Sequence, residues 1–131
     1  MPRILIIDDD AAVCKTITDV LERQGYVVSS FLELDAGIRA AHSGKYNLVL
    51  LDIKSSKGNV LSVISHIRTA DMAPEIVVMT GRRDLICAEL AIEQGAIVYM
   101  LKPASAQNIV DVVALIISYQ AERQRPRITR H

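Results

Sequence analysis

Cysteine, net charge and long apolar runs are all scarce in this chain, and each scarcity removes a class of protein. Its two cysteines, Cys14 and Cys87, fall inside segments of helical periodicity without metal-ligand spacing. They are expected to be buried thiols in a reducing compartment, not a disulfide framework or a zinc site. Fifteen basic and fifteen acidic side chains cancel to a formal charge of zero, which gives no support to direct nucleic-acid binding. Half of the residues are apolar, yet none of the runs approaches the roughly 18 residues of a membrane span. No basic n-region leads into an apolar h-region. These absences predict a cytoplasmic protein with no membrane partner. At 131 residues the chain fits one domain with a real core.

What is present is a regular alternation of two periodicities. Short apolar, β-branched runs occur at Ile4 to Ile7, Tyr26 to Phe31, Leu48 to Leu51, Ile76 to Met79 and Ile97 to Leu101. Each is too short for a helix and too apolar for a half-exposed strand, so these are five strands, most of them covered on both faces. Between them lie helical stripes, such as Val13, Ile17, Val20 and Leu21 in the first and Ile109, Val112, Val113, Ile116 and Ile117 in the last. Gly25, Gly44 and Gly95 close helical stretches, and Pro74 precedes the fourth strand. Strands joined through single helices imply right-handed crossovers and a parallel sheet between two helical layers. The expected fold is a five-stranded, doubly wound α/β domain.

In such sheets ligands bind beyond the carboxyl ends of the strands. The first strand runs into Asp8, Asp9 and Asp10, and the third into Asp52. If these strands are neighbours, three or four carboxylates converge on one rim. At an effective dielectric constant near 20, two of them about 4 Å apart repel by roughly 4 kcal/mol. The cluster therefore calls for a cation, and oxygen-only ligands favour a hard one such as Mg²⁺, with Mn²⁺ able to substitute. The fourth strand ends at Thr80-Gly81 and the fifth at Lys102-Pro103. Acids, hydroxyl and ammonium on one rim suit phosphoryl transfer to a carboxylate, which needs positioning and charge neutralisation above all.

Taken together, Ile6-Ile7-Asp8-Asp9, Leu50-Leu51-Asp52, Val78-Met79-Thr80-Gly81, Gly95-Ala96-Ile97-Val98-Tyr99 and Leu101-Lys102-Pro103 resemble the receiver domain of bacterial two-component response regulators. The resemblance covers residues 2–120 and implies the flavodoxin-like (βα)5 fold with strand order 2-1-3-4-5. It implies phosphorylation of Asp52 and Mg²⁺ held by Asp8, Asp9, Asp52 and the backbone carbonyl of Lys54. Thr80 and Lys102 would contact the phosphoryl oxygens, with Tyr99 at the aromatic switch position. The implied donor is a sensor histidine kinase or a histidine phosphotransfer protein. The face of the fourth helix, fifth strand and fifth helix would bind partners or a second copy, with the output partner or domain unknown. The domain would assist its own phosphorylation and dephosphorylation without being a multiple-turnover enzyme. The Lys102-Pro103 peptide is commonly cis in the family. Residues 1–122 would form the domain and 123–131 a basic tail or the start of a linker.

The chain departs from the family after Asp52. A Met-Pro pair and a later Gly are replaced by Ser55-Ser56 and Val60, with Gly58-Asn59 available for the bend. Lys54 and Arg82, each two residues beyond a site residue, occupy positions that can tune the phosphoryl lifetime. Other readings of the same residues stand beside these. Asp10 suits a helix N-cap, and Tyr99 could be core. Asp8 and Asp10 also spell the Asp-x-Asp of haloacid-dehalogenase-like phosphatases, with Asp8 as nucleophile and Asp10 as general acid. A receiver-like module that is never phosphorylated is the third reading. His42 and His66 are read as surface or core residues. The apolar fourth helix, Asp84 to Gln94, is expected to leave some of its apolar side chains exposed.

Overall fold

The structure is a computed structural model that describes residues 1–53, 60–81 and 85–124. Strands and helices alternate as expected: β1 (Arg3–Ile7), α1 (Ala11–Arg23), β2 (Val27–Phe31), α2 (Leu34–Ala41), β3 (Leu48–Ile53), α3 (Val60–Arg68), β4 (Glu75–Thr80), α4 (Leu85–Gln94), β5 (Val98–Leu101) and α5 (Ala106–Gln124). All pairings are parallel, in the order β2-β1-β3-β4-β5. The element limits move by a residue or two, and one shift bears on chemistry. β3 runs on to Ile53, so Asp52 belongs to the strand itself, paired in register with Met79, and Thr80 is the last residue of β4.

The sheet buries both faces because its central strands carry unbroken apolar runs, Ile4 to Ile7, Leu48 to Leu51 and Ile76 to Met79. Ile4, Ile6, Leu48, Leu50, Val77 and Met79 pack with Cys14, Ile17 and Leu21 of α1 and Ile109, Val113 and Ile116 of α5. Leu5, Ile7, Val49, Leu51, Ile76 and Val78 pack on the other side against Ala41 of α2, Ile64 and Ile67 of α3 and Ala91 of α4. Each Val, Leu, Ile or Met among them contributes about 1.5–3 kcal/mol by leaving water. Continuous apolar runs without alternation are the signature of this double coverage. The edge strands differ: β2 and β5 hold only part-buried and exposed residues. Gly37 lets α2 press onto β1, since a Cβ there would meet Ile7 at 2.8 Å.

The rim where the strands begin is tied by neutral hydrogen bonds. Asn47 donates its N–H to Arg3 O at 2.8 Å, and its Oδ1 accepts from Arg3 N–H at 2.8 Å. The Asn47 carbonyl accepts from Glu75 N–H at 3.1 Å and from Gln120 Nε2 at 2.8 Å. One residue thus joins β1, β3, β4 and α5. On the same rim Gly95, at φ +120°, leaves room for the stem of Arg68, whose Nη1 donates to Pro74 O at 2.9 Å. His42, the C-cap of α2, and His66, in the last turn of α3, stack with ring centroids 4.8 Å apart.

Candidate phosphoacceptor site

Register carries the acids together. Ile6 pairs with Leu50, and two residues further along each strand, on the same face, stand Asp8 and Asp52. Asp9 joins them: one carboxylate oxygen from each of Asp8, Asp9 and Asp52 lies within 4.8 Å of the others. Three hard oxygen donors at that spacing fit a divalent cation of the Mg²⁺ type. Asp10 turns away from the group. It is the N-cap of α1, its Oδ1 accepting from the N–H groups of Ala12 at 3.0 Å and Val13 at 3.2 Å.

Lys102 reaches into the cluster from the end of β5. Its Nζ lies 2.5 Å from Asp52 Oδ1 and 3.1 Å from Asp8 Oδ2, with the lysine side chain about one-quarter exposed and both acids nearly covered. Asp8 spends its other oxygen on the backbone, Oδ1 accepting from Asp10 N–H at 2.9 Å. The lysine's own N–H donates to Thr80 O at 2.6 Å, and the Lys102-Pro103 peptide is cis. Thr80 is 3% exposed and Asp8 4%, the buried polar residues of the described chain.

Two acids and one ammonium in a covered site set the electrostatics. Burial pushes the Asp52 carboxyl above its usual range; the hydrogen bond from Lys102 opposes this, and the charge of Asp8 adds to it. Burial alone would lower the Lys102 pKa, yet hydrogen bonds to Asp52 and Asp8 carry it above its ordinary value. The lysine is therefore held as a cation, while the acids remain under-compensated. Beneath them Cys14 is buried, its thiol donating to Asp8 O at 3.4 Å. Burial and the charges of Asp8, Asp10 and Asp52 raise its pKa, which keeps it an unreactive thiol.

The predicted residues Asp8, Asp9, Asp52, Thr80 and Lys102 all come to this rim. Tyr99, half-buried on β5, packs against the core between the sheet and α2, α3 and α4. Lys54, Arg82, Ser55, Ser56, Gly58, Asn59 and Asp84 lie outside the described residues, as do residues 125–131 of the tail and the side chains of Val60 and Cys87. Linear spacing gave no sign that Lys102 would bridge Asp8 and Asp52; that contact spans 94 residues and exists only once five strands are in register. A cavity of about 560 Å³ adjoins the site behind Lys102 and Met79, but its other walls are chiefly apolar residues of α1 and α5, among them Val13, Ile17 and Ile109. The ionic chemistry lies outside it.

Residues 4–114 match the family model described as the response regulator receiver domain. The chain belongs to the response regulator receiver domain family. This receiver domain is 31% identical over 123 residues to the acid tolerance regulatory protein ActR of Rhizobium meliloti, an alignment covering 94% of the chain and 62% of that protein. The chain thus spans about three-fifths of that relative's length. Among solved structures, a response regulator receiver domain protein from Clostridium thermocellum superposes with a TM-score of 0.84 at 25% identity, over 95% of this chain and all of the other. A response regulator protein from Burkholderia pseudomallei, solved with a phosphorylated aspartic acid, calcium ion and citrate, gives a TM-score of 0.75 at 27% identity, over 98% of this chain and 78% of that one. Five parallel strands in the order 2-1-3-4-5 are the fold of this family. Among the described residues, no helix is long and apolar enough to cross a membrane.

Proposed function

We propose that this receiver domain accepts a phosphoryl group on Asp52 in a Mg²⁺-dependent step and reports it through a partner-binding face. The observation that carries the reading is the convergence of Asp8, Asp9 and Asp52 around the Lys102 ammonium at the carboxyl ends of β1, β3 and β5. Asp52 suits the nucleophile better than Asp8, because both oxygens of Asp8 are already engaged, one by Asp10 N–H and one by Lys102. In the proposed step an Asp52 oxygen attacks phosphorus, the acyl phosphate P–O bond forms, and the bond from phosphorus to the donor's imidazole nitrogen breaks. Lys102 and the Thr80 hydroxyl hold the transferred oxygens. Asp8, Asp9 and Asp52, with the carbonyl of Lys54, would hold Mg²⁺, which supplies charge neutralisation when bound. A phosphorylated aspartic acid and a calcium ion in the Burkholderia pseudomallei regulator support the assignment.

The donor in this reading is a sensor histidine kinase or histidine phosphotransfer protein in the cytoplasm, and the domain is a signalling switch that does not turn over. Residues 1–122 act as the receiver and 123–131 as a tail or linker; α5 itself continues to Gln124. The reporting face carries Tyr99 and the exposed apolar residues Ile92, Leu101, Leu115 and Tyr119 of α4, β5 and α5, where a second copy or another partner would dock. Lys54 and Arg82 tune the phosphoryl lifetime, and exchanging both for neutral residues is expected to change it; an unchanged lifetime removes them from this role. The phosphatase reading loses its general acid, since Asp10 caps α1 outside the acid group.

Incubation with phosphoramidate or acetyl phosphate and Mg²⁺, followed by intact mass, tests the proposal. One phosphoryl group per chain is expected on the native protein and none on Asp52→Asn. Hydrolytic turnover that survives Asp52→Asn would establish the phosphatase, and a native protein that is never labelled would be a binding module.

A further inference from the structure

Two histidines that the phosphoacceptor site does not use stand side by side on the opposite rim. His42 caps the C-terminus of α2 and His66 lies in the last turn of α3, and their rings stack with centroids 4.8 Å apart and planes 16° from parallel. Both residues are exposed, so the pairing is not a by-product of core packing. The hydrogen bonds around them fix a tautomer. The Thr69 hydroxyl has a single proton, which it donates to His66 O at 2.6 Å. In its contact of 3.4 Å with His42 Nε2 that hydroxyl therefore accepts, so the neutral His42 ring carries its proton on Nε2 and a lone pair on Nδ1. A ring N–H held by an outer acceptor, with the other nitrogen free, is the arrangement of a metal-bound histidine. The surroundings also favour a cation. Two helices end here, and each C-terminus presents the negative end of its dipole. Of the arginines in these last turns, Arg39 and Arg68, the second has its guanidinium engaged by Pro74 O at 2.9 Å and by Glu75 at 3.6 Å.

We infer that His42 and His66 form a site for a late first-row divalent ion, Cu²⁺, Ni²⁺ or Zn²⁺, that staples the end of α2 to the end of α3. Imidazole nitrogen suits these metals, whereas the all-oxygen cluster of Asp8, Asp9 and Asp52 suits Mg²⁺, so the two rims select different ions. An imidazole–metal bond is about 2.0–2.1 Å long, so the nitrogens of two rings that share one ion stand at most about 4 Å apart. Rings stacked at 4.8 Å are close to that span. Rotation about the broad terminal torsion of each exposed side chain tilts the rings until a nitrogen of each meets the ion, at the cost of the stack. Water fills the remaining positions. The ion ties together two helices that cover the same face of the sheet, which gives the domain a second input, the supply of a transition metal, on the rim opposite its acids. The inference does not depend on phosphorylation of Asp52.

Titration with Cu²⁺ in excess Mg²⁺, read by electron paramagnetic resonance, tests the site directly, because nitrogen ligands split the copper signal and oxygen ligands do not. The native chain is expected to bind one Cu²⁺ with the splitting of two equivalent nitrogens. His42→Gln and His66→Gln are each expected to lose that pattern and to bind more than about tenfold more weakly. Thr69→Val removes only the acceptor that orients His42, and is expected to keep both nitrogens at about tenfold lower affinity. His131→Gln is expected to leave the spectrum unchanged. In thermal melts, Zn²⁺ is expected to raise the melting temperature of the native chain by a few degrees and to leave that of His66→Gln where it was. A native spectrum with fewer than two nitrogens overturns the inference. So does a two-nitrogen pattern that survives His66→Gln or disappears in His131→Gln.

Discussion

The two rims of the sheet are made from the same strands and solve opposite problems. Where the strands begin, Asn47 satisfies β1, β3, β4 and α5 through uncharged hydrogen bonds, and Arg68 threads past Gly95 to Pro74 O. Where they end, Asp8, Asp9 and Asp52 crowd together with Lys102 as counter-ion. Neutral bonds between fixed backbone groups each contribute roughly 0.5–1.5 kcal/mol at low risk. Clustered like charges oppose folding unless something binds them. One rim therefore carries stability and the other carries the charges on which the proposed chemistry rests, and the second can exist because the first and the two cores compensate for it.

The comparison breaks most visibly on the stabilising rim. Gly95 has φ +120°, a region that L side chains rarely adopt, and any Cβ there would stand 2.7 Å from Arg68 Cγ. Gly95→Val is expected to destabilise the domain by roughly 2–3 kcal/mol in urea melts. Labelling of Asp52 by phosphoramidate should persist in the molecules that remain folded. Loss of labelling in a stable Gly95→Val protein would show that the two rims are not separable.

On the other rim a substitution should act with the opposite sign. Asp52→Asn in metal-free buffer removes one of the crowded carboxylates and leaves Lys102 paired with Asp8, so the melting temperature is expected to rise by a few degrees, the change that roughly 1 kcal/mol makes in a domain of this size. Asp9→Asn should behave alike. Excess Mg²⁺ stabilises the native chain by mass action and narrows the difference. The pH dependence follows from the same groups. Asp52 is raised by burial, so between its ordinary carboxyl range and its raised folded value the unfolded chain binds fewer protons, and metal-free stability falls as pH climbs through that window. The Lys102 contribution has the contrary form: despite burial, its carboxylate partners raise it above 10.5, so its contribution is complete below that pH and is lost as pH rises through the folded value. Urea melts from pH 4 upward should show the acid-side decline in the native chain and its absence in Asp52→Asn. A decline that survives the substitution would assign it to another group.

These contrasts also mark how far the sequence could be read. Element types, strand order and the gathering of Asp8, Asp9, Asp52, Thr80 and Lys102 on one rim were legible, because unbroken apolar runs such as Leu48 to Leu51 identify covered strands and a parallel sheet gathers whatever follows them. The pairing inside the site was not. Thr80 and Lys102 were expected to contact a phosphoryl group; that Lys102 also pairs with two acids depends on distances between β1, β3 and β5 that spacing does not give. The hub at Asn47 was missed for the same reason: an Asn before a strand is an ordinary turn signal, and its four bonds run to three other strands and helices.

Asp10 sharpens the division, because it stands among the acids in sequence and works for stability in the fold. Its carboxylate accepts from Ala12 and Val13 N–H at the start of α1, which otherwise lacks acidic residues in its first turn to complement the helix dipole. Asp10→Ala is expected to cost about 1 kcal/mol, and Asp10→Ser, which can cap in the same way, to recover most of it. Neither should relieve charge repulsion enough to mimic Asp52→Asn, and both should be labelled at Asp52 and bind Mn²⁺ like the native chain. A gain in metal-free stability on Asp10→Ala would place this residue with the crowded acids. A loss restored by serine places it with Asn47 and Gly95, as a stabilising residue that happens to lie one peptide bond from the candidate ligands.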